Sequence, residues 1–348
     1  MRPDDIRPFG RSNVPVTAFS FGTAPVGNFL KPIDEQTSAA MFETAWAAGV
    51  RHYDTAPMYG HGLSEYRTGQ ALRWKPRDAF SLATKVGRRL VPARRETIDF
   101  TPWVDAAPFS LVFDYSYDGT MRAFEDSLQR LGLERIDICY IHDIDVFTRG
   151  AAQPAVFEAA MDGCWRALER LRDEGVVKAI GVGVNEWQVC FEALKRRDFD
   201  AFLLAGRYTL LEQEALDGFL PLCVERGAAV AVGGGFNSGI LATGAKPGAK
   251  YNYAPAPAAI MEKVARIEAV CREFAVPLPA AALQFVVAHP AIPTFVAGTR
   301  TVEQLQQNLA WFSHPVPAEF WHALKARGLL REDAPTPAES PAAVPAAG

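Results

Sequence analysis

The chain has 348 residues, of which 49% are hydrophobic and 22% are charged. This balance is that of an ordinary globular protein, and the length fits one large domain or two smaller ones. The formal net charge of −4 argues against a nucleic-acid-binding protein, because phosphate binding needs a basic surface.

Residues 6–19, IRPFGRSNVPVTAF, predict a short hairpin at the N-terminus. Eight short apolar runs then alternate with amphipathic runs of helical periodicity. The apolar runs cover 19–23, 50–54, 80–85, 136–142, 177–183, 201–206, 228–234 and 293–298. The helical runs cover 34–48, 62–73, 117–131, 155–174, 187–197, 212–226, 256–274, 280–288 and 301–312.

The apolar runs do not alternate with polar residues, which is typical of parallel strands buried on both faces. Eight such units predict an α/β protein that folds as a closed (β/α)₈ TIM barrel with an N-terminal hairpin. We expect one barrel domain over residues 1–332. The Pro/Ala-rich residues 333–348 predict a disordered tail.

Several features bear on location and partners. The five cysteines show no CxxC pair and no metal spacing, which favours reduced thiols in a cytoplasmic protein. The N-terminal residues lack the apolar segment of a signal peptide. The longest apolar stretch, 276–298, contains four prolines, so we expect a buried helix and strand there and no membrane partner.

One connection is unusually long. About thirty residues separate Lys85 from the helix that begins near Asp118, whereas most connections are far shorter. Such a long β3–α3 loop over a barrel mouth predicts a lid or substrate wall, and Trp103 favours that interpretation over a decorative insertion.

Polar residues follow consecutive predicted strands where barrel enzymes build their sites. Asp54, Lys85 and His142 end the second, third and fourth strands, and Tyr59 lies in the loop after the second. Each has a structural explanation when taken alone: a turn cap, a surface cation or a hydrogen-bonded core histidine. Their coincidence favours a proton-transfer site. An ammonium lowers the pKa of a neighbouring phenol, and a carboxylate keeps that ammonium charged.

At this point the sequence resembles the aldo-keto reductases. The resemblance is carried by GVRHYDTAPMYGHGLSEYRTGQAL (49–72), LATKVG (82–87), YIHD (140–143), IGVGVNEW (180–187) and AGTRTVEQLQQNLA (297–310). It implies a catalytic tetrad of Asp54, Tyr59, Lys85 and His142. It also implies a nicotinamide cofactor, no metal, and hydride transfer between the cofactor and a carbonyl or carbinol carbon.

The resemblance also implies binding positions. The expected cofactor contacts are Gly22, Thr23, Asn185, Phe236, Asn237, Ser238, Gly298, Thr299, Arg300, Gln304 and Asn308. The expected substrate contacts are Phe29, Trp103, Asp143, Arg207 and Tyr208.

The chain departs from the family pattern near the cofactor. Val184 and Ala205 replace a serine and a glutamine that are usual in the family. Gly298 and Gln304 stand where NADP-specific relatives carry cations, so the sequence favours NAD. NADP stays possible, since Arg300 could restore one phosphate contact.

Within the family, the chain resembles a subgroup that oxidises cyclic hemiacetals to lactones. The expected reaction is NAD(P)-dependent oxidation at C1 of an aldose such as L-fucose, L-galactose or D-arabinose. The alternatives are pyridoxal 4-dehydrogenation to the pyridoxolactone, general NADPH-dependent aldehyde reduction, or a non-catalytic cofactor-binding regulatory subunit. The intact tetrad argues against the last, and the missing cations argue against NADPH. We expect a small-molecule substrate and a monomer or small homo-oligomer.

Overall fold

The structure, a computed structural model, describes residues 1–337 and contains a closed barrel of eight parallel strands. Phe19 pairs with Phe295, which joins the first barrel strand to the last and closes the ring. The TIM barrel prediction is thereby confirmed. The barrel strands are Phe19–Gly22, His52–Asp54, Ser81–Val86, Ile138–His142, Ala179–Val184, Ala201–Ala205, Ala229–Gly233 and Thr294–Gly298.

Helices surround the barrel and begin and end where local side chains favour it. In the helix Tyr117–Leu131, the Ser116 side chain accepts a hydrogen bond from the Gly119 amide at 3.0 Å. Gly132, at φ 62°, ends that helix in the left-handed conformation. The main helices are Glu35–Ala47, Leu63–Leu72, Tyr117–Leu131, Gln153–Ala159, Trp165–Asp173, Trp187–Arg196, Phe219–Arg226, Ala258–Glu273, Leu278–Val286, Val302–Phe312 and Ala318–Ala326.

Three helical predictions needed correction. The run 212–226 is helical only from Phe219. A short 3₁₀ turn, Glu214–Leu216, precedes Gly218, whose φ of 137° is not helical and separates the two elements. The run 155–174 is interrupted by a π-helical turn, Ala160–Cys164. The helix Ala318–Ala326 was not predicted; its Pro317 start and buried Phe320 and Trp321 identify it in retrospect.

The N-terminal hairpin closes the amino-terminal end of the barrel. Ile6–Phe9 pairs antiparallel with Val14–Thr17. Phe9, Val14 and Val16 are buried against the inward-facing apolar side chains of the barrel strands. The opposite, carboxyl end of the strands is therefore the open mouth where a site can form.

The packed part of the chain extends further than predicted. Ala334 and Thr336 are fully buried, so the boundary placed at residue 332 is too early. The rest of the predicted tail, residues 338–348, lies outside the described residues.

Within residues 1–337, no single helix is long and apolar enough to cross a membrane. One pair, Ala258–Glu273 and Leu278–Val286, passes such a test only when taken together and is bent by 103° at its break. Every residue of the second helix in this pair is buried in the protein.

Candidate active site

The four residues predicted to form a tetrad lie together at the barrel mouth. Lys85 Nζ donates to Asp54 Oδ1 at 2.6 Å and to the Thr55 carbonyl at 2.7 Å. The same nitrogen lies 4.7 Å from the centroid of the Tyr59 ring. The Tyr59 and His142 ring centroids are 6.1 Å apart and edge-on. Groups separated by up to 88 positions in sequence thus form one cluster, since the strand that carries Lys85 lies between the strands that end in Asp54 and His142.

A tight turn after the second strand places Tyr59. The Tyr59 amide donates to the Ala56 carbonyl at 3.1 Å, and Gly60 follows at φ 64°. A Cβ atom on Gly27 would lie 2.6 Å from the Tyr59 carbonyl carbon, so only glycine allows the preceding loop to approach this closely. The loop after the first strand therefore packs directly on the turn that carries the phenol.

The electrostatics of this cluster are dominated by burial and by the ion pair. Burial alone would lower the pKa of Lys85, but Asp54 and Tyr59 together outweigh burial and raise that pKa, which keeps the amine charged. Burial also raises the pKa of Tyr59 to about 12, while Lys85 acts in the opposite direction. The phenol is therefore protonated at neutral pH in the free protein, and the ammonium is the group that eases its ionisation.

His142 is held by two charged neighbours. Arg88 Nη1 lies 3.0 Å from His142 Nδ1, and Arg88 Nη2 donates to Asp143 Oδ2 at 2.6 Å. Burial lowers the pKa of His142 well below its usual range, and the charges of Arg88 and Lys85 lower it further. The imidazole is therefore neutral in this site.

A cavity of about 420 Å³ opens beside these residues, and several aromatic rings form part of its walls. Trp103 packs between Phe29 and Tyr59, at centroid distances of 5.3 and 5.6 Å. The indole Nε1 of Trp103 is buried and has no hydrogen-bond partner among the described residues. The predicted substrate contacts Phe29, Trp103 and Asp143 all line this cavity together with Tyr59 and His142.

The long loop is a fixed wall of that cavity. Arg88–Pro92 pairs antiparallel with Phe109–Phe113, which the sequence did not predict. The Val104 amide donates to the Asn28 carbonyl at 3.0 Å, and the Ala107 amide donates to the Gly60 carbonyl at 3.1 Å. These bonds join the loop to those after the first and second strands. The long loop therefore holds the neighbouring loops in place as well as covering the cavity.

A second cavity, of about 490 Å³, adjoins the first and suits a nucleotide. Glycines from four loops and strand ends line it, so backbone groups are accessible to a ligand. A Cβ added at Gly239 would meet no atom within 4 Å and would occupy open space. Arg300 also lines the cavity, and its Nη1 is buried without a partner among residues 1–337. An unpaired cation beside a glycine-lined wall fits the phosphates of a nicotinamide cofactor.

The predicted cofactor residues fall into three groups in the structure. Seven line this second cavity: Gly22, Thr23, Phe236, Asn237, Ser238, Gly298 and Arg300. Asn185 lines the first cavity instead, and its backbone N–H donates to Asp145 Oδ2 at 2.7 Å. The remaining three, Thr299, Gln304 and Asn308, lie on neither lining.

Some of these side chains are already engaged. Thr23 Oγ1 donates to the Asp54 carbonyl at 2.8 Å. Asn237 Nδ2 donates to the Gly206 carbonyl at 3.1 Å, and Asn237 Oδ1 accepts from Thr209 Oγ1 at 2.6 Å. Because both polar atoms of its side chain are engaged, Asn237 would contact a ligand through its backbone. Arg300 Nη2 donates to the Phe29 carbonyl, which links the two cavities.

Two substrate predictions are corrected by the structure. Tyr208 is fully buried and packs against Phe285 and His289, at centroid distances of 5.1 and 5.6 Å, so it is a core residue. Arg207 lines the cofactor cavity and not the substrate cavity. Its Nη1 pairs with Glu212 at 3.1 Å and donates to Asn252 at 2.6 Å.

Sequence reasoning missed three residues at the mouth. Tyr253 lines both cavities, and its ring lies 6.1 Å from that of Phe147. Both belong to short loop elements that carry no periodic signal. Arg88 was also missed, although its position three residues after Lys85, where a strand leaves the barrel, could have marked it.

Within the part of the chain that the structure describes, no three His, Cys, Asp or Glu side chains are grouped as a metal site requires. The five cysteines are buried free thiols.

Comparisons with known proteins agree with this geometry. The model of the aldo/keto reductase family matches residues 18–327. A pyridoxal 4-dehydrogenase from Microbacterium luteolum is 42% identical over 340 residues, which cover 95% of this chain and 99% of that protein. A D-threo-aldose 1-dehydrogenase from a Pseudomonas species is 38% identical over 327 residues, which cover 92% and 96%.

Among solved structures, the holo form of an aldo-keto reductase from Bacillus halodurans superposes with a TM-score of 0.70 at 25% identity. The superposition covers 94% of this chain and 96% of that one. The family match spans most of the chain and includes the cluster at the barrel mouth. This oxidoreductase therefore belongs to the aldo/keto reductase family, whose members bind nicotinamide cofactors.

Proposed function

We propose that the chain oxidises the hemiacetal at C1 of an aldose such as L-fucose, L-galactose or D-arabinose to the lactone, with NAD as the favoured cofactor. The single observation that carries the proposal is the Asp54–Lys85–Tyr59 cluster beside a cavity with aromatic walls. The 38% identity to a D-threo-aldose 1-dehydrogenase supports the choice of substrate class.

Tyr59 is the proposed proton acceptor. In the oxidation direction the hemiacetal hydroxyl loses its proton to the Tyr59 phenolate oxygen, and a C=O bond forms at C1. Lys85 stabilises the phenolate, and Asp54 holds Lys85 in place through the 2.6 Å contact. His142 hydrogen-bonds the reacting oxygen. A bound nicotinamide supplies the hydride acceptor for the hydrogen on C1, which balances the two electrons removed.

The proposed cofactor site uses the glycine-lined cavity. Backbone groups of residues 233–239 would contact the pyrophosphate, and Arg300 Nη1 would pair with a phosphate oxygen. Asn185 would hold the carboxamide, because Asp145 fixes its backbone at the edge of the substrate cavity. Val184 and Ala205 line the same wall without polar atoms in their side chains.

The preference for NAD rests on the adenosine end. Gly298 carries no side chain, and Gln304 Oε1 accepts a hydrogen bond from the Arg300 amide at 2.9 Å. Neither residue offers a cation to a 2′-phosphate. Arg300 is the candidate that would allow use of NADP, but one of its terminal nitrogens is already engaged by the Phe29 carbonyl.

Pyridoxal is the second candidate substrate. The 42% identity to a pyridoxal 4-dehydrogenase favours it, and so do the rings of Phe29, Tyr59 and Trp103, which offer stacking surfaces to a flat heterocycle. The same proton acceptor would serve its cyclic hemiacetal, and the product would be the pyridoxolactone.

A substrate panel tests the proposal. Purified protein is given L-fucose, L-galactose, D-arabinose, D-glucose or pyridoxal, each with NAD and with NADP, and cofactor reduction is followed by absorbance. We expect the highest kcat/KM with NAD and one of the three named aldoses. Exclusive activity with pyridoxal would select the second candidate. Activity only as a reductase of simple aldehydes with NADPH would contradict both.

A further inference from the structure

Arg88 is a buried cation in the site to which the reaction above assigns no task. It begins the hairpin strand Arg88–Pro92, and only 5% of its surface is exposed. Its guanidinium lies 4.7 Å from the centroid of Phe113, on the partner strand of the hairpin. The long loop thus brings a charged group to the wall of the substrate cavity, which Arg88 also lines.

The contact between Arg88 and His142 permits only one form of the imidazole. Arg88 Nη1 lies 3.0 Å from His142 Nδ1, which is a hydrogen-bond distance. A guanidinium has five N–H donors, accepts no hydrogen bond and keeps its proton in proteins. Nδ1 must therefore be the acceptor and carry no hydrogen. The single proton of the neutral ring is then on Nε2.

The other ring nitrogen stays available for a ligand. His142 Nε2 lies 3.6 Å from Asp143 Oδ1, which is too far for a hydrogen bond. Asp143 is itself oriented by Arg88, whose Nη2 donates to the other carboxylate oxygen at 2.6 Å. Arg88 therefore sets both a free N–H donor and a free carboxylate oxygen at one end of the cavity.

We propose that Arg88 is a positioning residue that locks His142 as a neutral Nε2–H donor toward the oxygen on the reacting carbon. The assignment rests on the proposed function for the identity of that oxygen. Because the locked imidazole can neither take nor release a proton there, the proton of the reaction belongs to Tyr59 alone. The hairpin of the long loop is then required for the chemistry as well as for the cavity wall.

Every charged or titratable group around His142 is consistent with a neutral ring. Lys85 and Arg88 both oppose a positive charge on it, and burial does the same. The acid Asp143 is already paired with Arg88. The groups that face His142 are Tyr59, Lys85, Arg88 and Asp143, with Tyr115 donating to its carbonyl at 2.9 Å.

Nitrogen NMR of histidine-labelled protein shows directly which ring nitrogen of His142 carries the proton, and it needs no substrate. The chain has six histidines, so the His142 signals are assigned by their loss in His142→Asn. In the wild-type protein we expect Nδ1 to be unprotonated and Nε2 protonated, with no titration from about pH 5 to 9. A protonated Nδ1 in the wild-type protein, or a ring that titrates near its ordinary pKa, would overturn the proposal even if no Arg88 variant folds.

Arg88→Met removes the lock, and Arg89→Met is the matched control. Arg89 lies in the same hairpin, but it pairs with Asp114 at 3.2 Å and not with the tetrad. We expect Arg88→Met to free the His142 ring from its single tautomer, so that a form protonated at Nδ1 becomes populated, and we expect no change in Arg89→Met. A His142 ring that keeps the same protonation in Arg88→Met would overturn the role assigned to Arg88.

Kinetics separate a role through His142 from a general structural role. Arg88→Met leaves Asp143 unpaired, so the comparison is made in an Asp143→Asn background. There we expect Arg88→Met to lower kcat/KM by roughly 10²-fold, the effect of losing one placed donor. With His142→Ala also present, the further loss should be less than about threefold.

Equal losses in the two backgrounds would overturn the proposal. If no hemiacetal is a substrate, the proposed function fails but the NMR result still decides the role of Arg88. The two failures are therefore distinguishable.

Discussion

The Lys85 ammonium joins the Asp54 carboxylate to the Tyr59 phenol, since Nζ lies 2.6 Å from Asp54 Oδ1 and 4.7 Å from the phenol ring centroid. Both members of the ion pair are almost completely buried, with side-chain exposures of 1% and 3%. A buried pair of this kind is costly to break, because removing one partner leaves an uncompensated charge. The pair therefore fixes a cation beside the Tyr59 phenol, which is the basis of the first two predictions.

Tyr59→Phe should abolish turnover and leave cofactor binding nearly unchanged. The substitution keeps the ring that packs on Trp103 at 5.6 Å but removes the oxygen that carries the proton. Loss of a general acid–base group costs roughly 10²–10⁴-fold in rate. Steady-state kinetics and a fluorescence titration with NADH measure the two effects. Tyr66→Phe is the control, because Tyr66 is 42% exposed on the following helix. Near wild-type turnover in Tyr59→Phe would remove Tyr59 from the reaction.

Lys85→Met should shift the pH profile of oxidation to higher pH. Oxidation needs the phenolate, so kcat/KM rises with pH until the phenol has ionised. Burial raises the pKa of Tyr59 to about 12 in the free protein, and the Lys85 charge opposes that rise. Without the ammonium the pKa of Tyr59 rises further, and the rising limb of the kcat/KM profile moves to higher pH. Lys75→Met, which breaks a pair with Glu43 and a contact with the Trp46 ring far from the tetrad, should leave the profile unchanged. An active Lys85→Met enzyme with an unshifted limb would make Lys85 structural.

NAD should outcompete NADP in kcat/KM. The reason is that Gly298 and Gln304 offer no cation to a 2′-phosphate, and a charge-assisted contact is worth roughly 1.5–3 kcal/mol. Arg300→Ala should weaken both cofactors alike if the unpaired Nη1 contacts the pyrophosphate. A preference for NADP that Arg300→Ala abolishes would instead assign the 2′-phosphate to Arg300.

Trp103→Phe should raise KM for the preferred hemiacetal and leave NADH affinity unchanged. The substitution keeps an aromatic ring against Phe29 but removes the buried, unpartnered indole N–H at the substrate cavity. Loss of one neutral hydrogen bond to substrate corresponds to about 0.5–1.5 kcal/mol, or roughly a three- to tenfold rise in KM. Trp74→Phe, at a residue 83% exposed, is the control. An unchanged KM would mean that substrate makes no contact with the indole nitrogen.

Arg130→Met should destabilise the protein by about 3–5 kcal/mol, because it leaves a buried carboxylate without its cation. Glu65 is fully buried and accepts from Arg130 Nε at 2.6 Å and from Thr84 Oγ1 at 2.8 Å. Denaturant unfolding measures the change, and Glu65→Gln in the same chain should restore part of it. Arg170→Met breaks an exposed pair with Glu174 and an exposed hydrogen bond to Tyr117, and it should change the free energy of unfolding by less than about 1 kcal/mol. Equal effects of the two substitutions would show that the Glu65 pair is not important for stability.

The barrel strands could be predicted from sequence to within two or three residues, because strands buried on both faces leave continuous apolar runs. The meeting of Asp54, Lys85 and His142 followed from the same topology, which brings the carboxyl ends of consecutive strands together.

The loops could not be predicted in this way. The hairpin Arg88–Pro92 with Phe109–Phe113 is only partly buried and carries no clear periodicity, so Arg88 was missed. Tyr208 was assigned to the substrate wall because it follows a strand end, yet its ring turns into the core against Phe285. Side-chain direction after a strand depends on backbone geometry that sequence spacing does not reveal.

The central claim is that a hydrogen leaves the hemiacetal carbon as hydride while Tyr59 takes the hydroxyl proton. The most direct measurement uses the preferred hemiacetal from the substrate panel, deuterated at its anomeric carbon, with NAD and analysis of both products. We predict one deuterium in each reduced nicotinamide, none on the lactone carbon, and no such transfer in Tyr59→Phe above about 1% of the wild-type rate. Deuterium retained in the sugar product, or equal transfer by Tyr59→Phe, would contradict the claim.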